Sequence, residues 1–203
     1  MPIATKNSLP GESPGQTLSR IAQSYAGCSL NHDRARLGRL VARGVDDPES
    51  VVTIHTNCGM FALGVMAEAG VQHELLDRKY QVGEAIAWLR LIGKSRGALV
   101  TYRGPHGPQP KHGSLLRYNT AGHNDDHVEW LIGTIDSSGH AAHCGGGRPD
   151  NAITIVPGNL GEKSLVTWNY GRPLVEFWDP DLLGIEVVPL GSDINEAFPD
   201  ERA

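Results

Sequence analysis

The chain has few cysteines and lacks a long hydrophobic segment. Its 203 residues include three cysteines, Cys28, Cys58 and Cys144, and this odd number argues against a framework of disulfide bonds. No stretch approaches the length of a membrane-spanning helix, so we expect no integral membrane association. Residues 1–16 are polar and lack the apolar segment of a signal peptide, and we therefore expect a protein that is cytoplasmic as synthesised.

Positive charge is also scarce. The formal net charge is -5 at pH 7, which gives no support for a nucleic acid or an anionic membrane as a partner. With 39% hydrophobic and 20% charged residues, the composition is that of an ordinary globular protein. A chain of 203 residues can bury a core without disulfides or structural metals. We predict a flexible tail over residues 1–16 and a single domain over residues 17–203.

Hydrophobic periodicity changes character halfway along the chain. Helical spacing predicts helices over residues 18–25, 34–42 and 80–92, and another that begins at Cys58, with Thr56 or Asn57 as its N-cap, and stops at Gly70. Alternating or β-branched runs then predict strands over residues 98–103, 114–118, 127–132, 140–144, 152–156, 165–168 and 184–189. Helices followed by strands indicate an α+β fold, with N-terminal helices packed on an antiparallel sheet.

Cys58 is the first candidate for chemistry, because it lies in the first turn of a predicted helix. The N–H groups of a first turn have no partner within the helix, and the helix dipole favours negative charge there. Both effects stabilise a thiolate, and the same N–H groups can bind the oxyanion of a tetrahedral intermediate. The alternative is that Cys58 is a small buried hydrophobic residue, as free cysteines often are.

A thiol nucleophile needs a base, and His127 is the candidate. It opens a predicted strand in which alternation places His127 and Glu129 on one face. His143 lies on the next predicted strand, from which it is expected to orient the imidazole of His127 as the third catalytic residue. Glu129 is expected to narrow the cleft or to bind a cationic part of the substrate. Arg148, beside the glycine run at residues 145–147, is expected to pair with a substrate carboxylate.

Four segments in this order resemble the NlpC-type cysteine peptidases. The stretch Asn57-Cys58-Gly59-Met60-Phe61, on a helix that ends in Ala69-Gly70-Val71, resembles the family's nucleophile helix. Residues 110–116 look like the family's Pro-Gly-Asp-Leu segment, residues 126–133 like its base-bearing strand, and residues 141–143 like the strand with the third catalytic residue. The sequence departs from the family where Asn57 and Ser114 replace Asp and where Glu129 replaces Gly.

The resemblance implies a papain-like fold with a central antiparallel sheet and a cysteine peptidase or amidase activity. Its substrate would be an amide in peptidoglycan or a related peptide, which the protein would reach by non-classical export or by delivery to the cell wall. The catalytic residues would be Cys58, His127 and His143, with Glu129, Arg148 and Asn57 at the substrate. No cofactor and no metal are needed for this mechanism.

Two other functional classes fit the same residues. One is a catalytically inactive binding module with this fold. The other is a zinc-dependent hydrolase built on His123, His127 and His143, since histidine is a common zinc ligand and Cys144 lies nearby in the sequence. A thiol acyltransferase or deamidase that uses the Cys58–His127 pair also stays open.

Overall fold

Among the residues that the structure describes, four α-helices precede six strands, so the α+β prediction is confirmed. The computed structural model describes residues 8–29, 31–41, 58–78, 84–119, 126–137, 140–146, 152–159 and 173–190. Within these residues the helices are α1 (Pro14–Ser24), α2 (Arg34–Val41), α3 (Cys58–Glu68) and α4 (Ala85–Ser95). Short 3-10 helices cover Glu74–Leu76 and Pro180–Leu182. None of the helices in these ranges has the length and apolar character needed to cross a bilayer.

The strands form a single antiparallel sheet. They are β1 (Leu99–Thr101), β2 (Leu115–Tyr118), β3 (His127–Ile132), β4 (His140–Gly145), β5 (Thr154–Asn159) and β6 (Leu174–Trp178). Their order across the sheet is β1-β6-β2-β3-β4-β5, and every neighbouring pair is antiparallel. The two strands of chief interest, β3 and β4, are therefore neighbours near the middle of the sheet.

The helices cover one face of this sheet. Alternate residues of the strands pack against α1, α3 and α4 and form the helix-side core, whose sheet members include Leu115, Val128, Trp130, Cys144 and Trp178. The intervening residues form a second apolar group on the opposite face, which we call the outer cluster: Leu116, Tyr118, Leu131, Leu174 and Phe177. Because side chains alternate along a strand, membership of these two groups tells which way each neighbouring residue points.

Helix α3 lies at the centre of the helical layer and is buried on all sides. Every residue from Cys58 to Ala67 is buried, which explains why the helix is apolar around its whole circumference. Glycines let its neighbours come close. A Cβ on Gly64 would lie 2.6 Å from the carbonyl oxygen of Leu40 on α2, and one on Gly59 would lie 2.9 Å from the Cβ of Ala85 on α4. The first turn of α3 is therefore packed directly on the first turn of α4.

A row of charged side chains joins α4 to the sheet on the helix side. The guanidinium of Arg90 donates two hydrogen bonds of 2.9 Å to the carboxylate of Glu176 on β6. That carboxylate also accepts from Arg117 on β2 at 2.7 Å, and Arg117 in turn contacts Asp126 at 2.7 Å. Opposite charges thus alternate along the row, which lets a glutamate occupy the helix-facing side of a short strand.

Several predicted boundaries differ from the structure. Residues 8–16, which the sequence assigns to a flexible tail, are packed: Ser13 caps α1 in a capping box with Gln16, and the amide of Gly11 donates to the carbonyl of Val188 at 2.8 Å. The strand predicted over residues 184–189 is wrong, since this segment is irregular and lies along the N-terminal residues instead. Strand β6 was not predicted, because Glu176 interrupts its apolar pattern. The strand predicted over residues 165–168 lies outside the described residues.

Candidate active site

Cys58 is the first residue of α3, as the sequence predicts, and only 5% of its surface is exposed. The backbone N–H groups of Gly59 and Val128 donate hydrogen bonds to its sulfur, and the side chain of His127 makes a third. Burial is the largest single influence and raises the pKa of the thiol. The hydrogen bond and charge of His127, together with the two amides, outweigh it and hold the pKa of Cys58 below that of an ordinary cysteine.

His127 is the first residue of β3 and is 6% exposed. Burial alone would lower the pKa of its imidazole. The contacts with Cys58 and Glu129 and the negative charges of both groups act in the opposite direction and raise the pKa of His127 to about 10. A thiol with a lowered pKa beside an imidazole with a raised pKa favours the thiolate–imidazolium form of the pair. The structure therefore brings the predicted nucleophile and base into contact.

The sulfur of Cys58 lies at the end of the pairing between β3 and β4. The N–H and C=O of Leu131 bond to the Gly113–Ser114 segment on the β2 side, at 2.9 Å each. Backbone groups of successive residues point to opposite sides of a strand, so the N–H of Val128 points toward β4. The antiparallel pairing of β3 with β4 ends at Trp130, two residues short of Val128. The amide of Val128 donates to the sulfur of Cys58 instead, so the sulfur lies beside β3 where its pairing with β4 has ended.

The sequence predicts that His127 and His143 lie on adjacent strands and face Cys58 and its helix, but in the structure both point to the opposite face of the sheet. Val128 and Trp130 point to the helix-side core, and His127 alternates with them and lies on the face of the outer cluster. His143 is paired with Leu131 across β3 and β4 and shares that face. His127 still contacts Cys58, although Cys58 belongs to the helix-side core, because both residues lie where the pairing of β3 with β4 has ended.

Glu129 is the second contact of the His127 ring. Its carboxylate has no exposed surface, and its Oε1 lies 3.0 Å from Nε2 of His127. The ring N–H is not aimed along a good hydrogen-bond direction, so the short distance marks an ion-pair contact more than an aligned bond. Attraction between opposite charges does not depend on such alignment, so the carboxylate still stabilises the imidazolium at this distance. The sequence predicts that Glu129 narrows the cleft or binds a cationic part of the substrate; a carboxylate without exposed surface is in no position to touch a substrate.

The sequence predicts that His143 orients the ring of His127. In the structure His143 contacts Glu129 instead. Its Nδ1 lies 3.3 Å from Oε2 of Glu129 and 3.3 Å from the hydroxyl of Tyr118, and the ring is fully buried. Its Nε2 has no hydrogen-bond partner among the described residues. We assign the proton to Nδ1, where it can be donated to the carboxylate. His143 thus reaches the base through Glu129.

Gly145 provides the space that Glu129 occupies. A Cβ at this position would lie 2.8 Å from Cγ and 3.2 Å from Oε1 of Glu129, closer than side-chain atoms tolerate. Position 145 on the neighbouring strand β4 therefore has to be glycine if the carboxylate of Glu129 is to stay where it is. The contact of Gly145, the first member of the glycine run, with Glu129 is a second sign of the importance of that carboxylate.

Three predicted site residues, Asn57, Arg148 and His123, lie outside the described residues. The zinc alternative requires one of these residues, His123. In the ranges that the structure describes, no three His, Cys, Asp or Glu side chains are arranged to hold a metal ion.

Comparison with known proteins adds no assignment. The sequence matches no protein-family model and no curated protein.

Proposed function

We propose that the chain is a cysteine hydrolase of the papain-like, NlpC-type class that cleaves an amide bond in peptidoglycan or a related peptide. One observation carries the proposal: a thiol at the first residue of a buried helix is hydrogen-bonded to an imidazole at the start of a strand, and the pKa values of the two groups are displaced in opposite directions. A module that only binds has no need of such a pair. The order of cysteine helix and histidine strand supports the family within the α+β class.

The mechanism uses the pair in two steps. The Cys58 thiolate attacks the amide carbonyl to form a C–S bond, and N–H groups of the first turn of α3 stabilise the oxyanion. The C–N bond then breaks as His127 gives its proton to the leaving amine. In the second step His127 takes a proton from water, the resulting hydroxide attacks the thioester, and the C–S bond breaks. The carboxylic acid leaves and the thiolate is restored.

The proposal is tested on purified peptidoglycan and on its stem peptides, with mass analysis of the products. Cys58→Ala and His127→Ala are each expected to lower kcat by at least about a thousandfold, since nucleophile and base act as a unit. Cys28→Ser is the matched control, because Cys28 is 6% exposed, as buried as Cys58, and contacts Arg36 instead of a base. This variant is expected to keep wild-type activity.

The same assay distinguishes the rival functions. Addition of the elements of water to the products indicates hydrolysis, transfer of the acyl group to an added amine indicates an acyltransferase, and release of ammonia indicates a deamidase. Full activity of Cys58→Ala would overturn the cysteine mechanism. Activity that EDTA abolishes and zinc restores would favour the histidine-cluster hydrolase.

A further inference from the structure

Glu129 is a buried carboxylate in contact with two histidines, and such a group requires an explanation. An unpaired buried charge is costly, and a carboxylate that loses its partners destabilises the fold. Glu129 nevertheless lies at 0% exposure with one oxygen on His127 and the other on His143. The two contacts involve different oxygens of the carboxylate and histidines on different strands, so both oxygens are fixed in position.

We propose that Glu129 is the positioning residue of this site: it fixes the ring of His127 and keeps it charged, in the place that the sequence suggested for His143. This inference rests on the proposed function for its catalytic consequence. The strand geometry supports it, since residues two apart on one strand point to the same face and Glu129 follows His127 at that distance. Base and carboxylate are therefore fixed relative to each other by a single strand.

The carboxylate of Glu129 is itself held in place by three residues, His143, Tyr118 and Gly145. His143 donates from Nδ1 to the oxygen of Glu129 that does not contact His127, and Tyr118 lies 3.3 Å from the same nitrogen. Gly145 leaves the space in which the carboxylate lies. Metal-free thiol sites commonly use a third group to hold the base, and here that group has its own support on the next strand.

The ionisable side chains around Glu129 come from four elements. Cys58 lies on α3, Tyr118 on β2, His127 on the same strand β3, and His143 on β4. A negative charge at Glu129 favours the imidazolium of His127, and the imidazolium favours the thiolate of Cys58. Removing the charge while keeping the shape should therefore make the thiolate harder to form and the imidazolium easier to deprotonate.

The test follows the rate at which iodoacetamide alkylates Cys58 across a range of pH, with mass analysis of the peptide that carries it. This readout needs no substrate. In Glu129→Gln we expect the pH at which His127 loses its proton, seen as the alkaline transition of the alkylation profile, to fall by about one unit or more. This is the usual effect of losing an adjacent opposite charge. Glu129→Asp keeps the charge and should therefore show a smaller fall in this pH than Glu129→Gln. Glu68→Gln is the matched control, since it removes a carboxylate from the last residue of α3, where Glu68 accepts from Tyr25, and should leave the profile unchanged.

Gly145→Ala is the second variant, and it decides the matter if Glu129→Gln fails to fold. It keeps the charge but displaces the carboxylate, so a shift in the same direction as that of Glu129→Gln is expected. An unchanged alkylation profile in folded Glu129→Gln, or in Gly145→Ala where Glu129→Gln does not fold, would overturn the positioning role.

On an active substrate, kcat of Glu129→Gln should fall by about tenfold or more with KM nearly unchanged, because a buried carboxylate does not touch substrate. If the wild type cleaves nothing while the alkylation shift is present, the proposed function fails and the positioning role stands. If the wild type is active and the shift is absent, the reverse holds.

Discussion

At the scale of the residue, the protein has three cysteines in three different chemical settings. The sulfur of Cys58 accepts hydrogen bonds from two backbone amides and from a histidine. The sulfur of Cys28 lies 3.4 Å from the guanidinium of Arg36, and Cys144 donates its S–H to the carbonyl of Ala22 at 3.4 Å. All three are buried, so exposure does not separate them. Their reactivity is expected to follow thiolate character instead.

Iodoacetamide at neutral pH should therefore label Cys58 faster than Cys28 or Cys144. The thiolate of Cys58 is stabilised by His127, whereas the proton of Cys144 is held by a carbonyl oxygen. The measurement is peptide mass analysis over time, with urea-unfolded protein as the control in which the three rates should converge. Labelling of Cys58 last in the folded protein would contradict its role as nucleophile.

The pH dependence of kcat/KM should show a plateau between two limits. On the acid side activity is lost as the Cys58 thiolate takes up a proton, and that limit lies below the pKa of an ordinary cysteine. On the alkaline side activity is lost as pH rises through about 10, where His127 gives up the proton that the leaving amine needs. Rates measured from acid to alkaline pH test both limits, and an alkaline limit near the ordinary histidine pKa would contradict the ion pair.

How far the site was predictable follows from the reach of local patterns. Cys58 and His127 could be predicted, because a helix start and a strand start are visible in the sequence itself. The second partner of His127 could not be predicted, because alternation places Glu129 on the face of His127 but does not say whether Glu129 or His143 of the next strand meets the ring. That outcome depends on the register between β3 and β4 and on the space left at Gly145, neither of which is a local property.

At the scale of the element, the position of Cys58 depends on how two helices begin. The first turn of α3 packs on the first turn of α4 through Gly59, Ala85 and Ile86. Helix α3 was predictable because both of its ends are marked, by Cys58 after possible capping residues and by Gly70. Apolar periodicity predicts that α4 begins near Tyr80, whereas the structure begins it at Ala85; residues 80–83 of the predicted helix lie outside the described residues.

Gly59→Ala should disturb the nucleophile through this contact. The added methyl would lie 2.9 Å from Cβ of Ala85 and 3.1 Å from Cγ1 of Ile86, so the two helix starts must separate. We expect a loss of about 1–3 kcal/mol in the free energy of unfolding and slower alkylation of Cys58. The double variant Gly59→Ala/Ala85→Gly moves the methyl from one helix to the other and should recover much of both effects. Equal losses in the single and double variants would exclude this contact as the cause.

At the scale of the whole molecule, charge joins the two layers that apolar packing also joins. The row from Arg90 through Glu176 and Arg117 to Asp126 connects α4 with β6 and β2. Burial raises the pKa of Glu176, but the hydrogen bonds and charges of the two arginines outweigh it and lower the pKa below its usual range. A carboxyl with a depressed folded-state pKa stabilises the protein above its unfolded pKa, and that stability is lost as pH falls through the folded value.

Glu176→Gln should therefore cost about 1–3 kcal/mol of unfolding free energy at neutral pH, because it leaves two arginines short of a charged partner. The difference from wild type should shrink as pH falls below the ordinary carboxyl pKa, where Glu176 itself becomes protonated. Urea unfolding at several pH values provides the measurement. Glu74→Gln is the control, since the Glu74–Arg78 pair is exposed at 3.7 Å and should be worth almost nothing. A difference that is constant down to strongly acid pH would contradict the assignment.

The amide of Val128 gives the site a spectroscopic handle. Its proton points at the Cys58 sulfur and not at a neighbouring strand, so its chemical shift is expected to follow the charge on that atom. Protonation, alkylation or acylation of the sulfur would each leave the amide with a weaker acceptor. One resonance from a strand that belongs to the core of the sheet would then report, in real time and without a substrate analogue, which covalent state the nucleophile occupies.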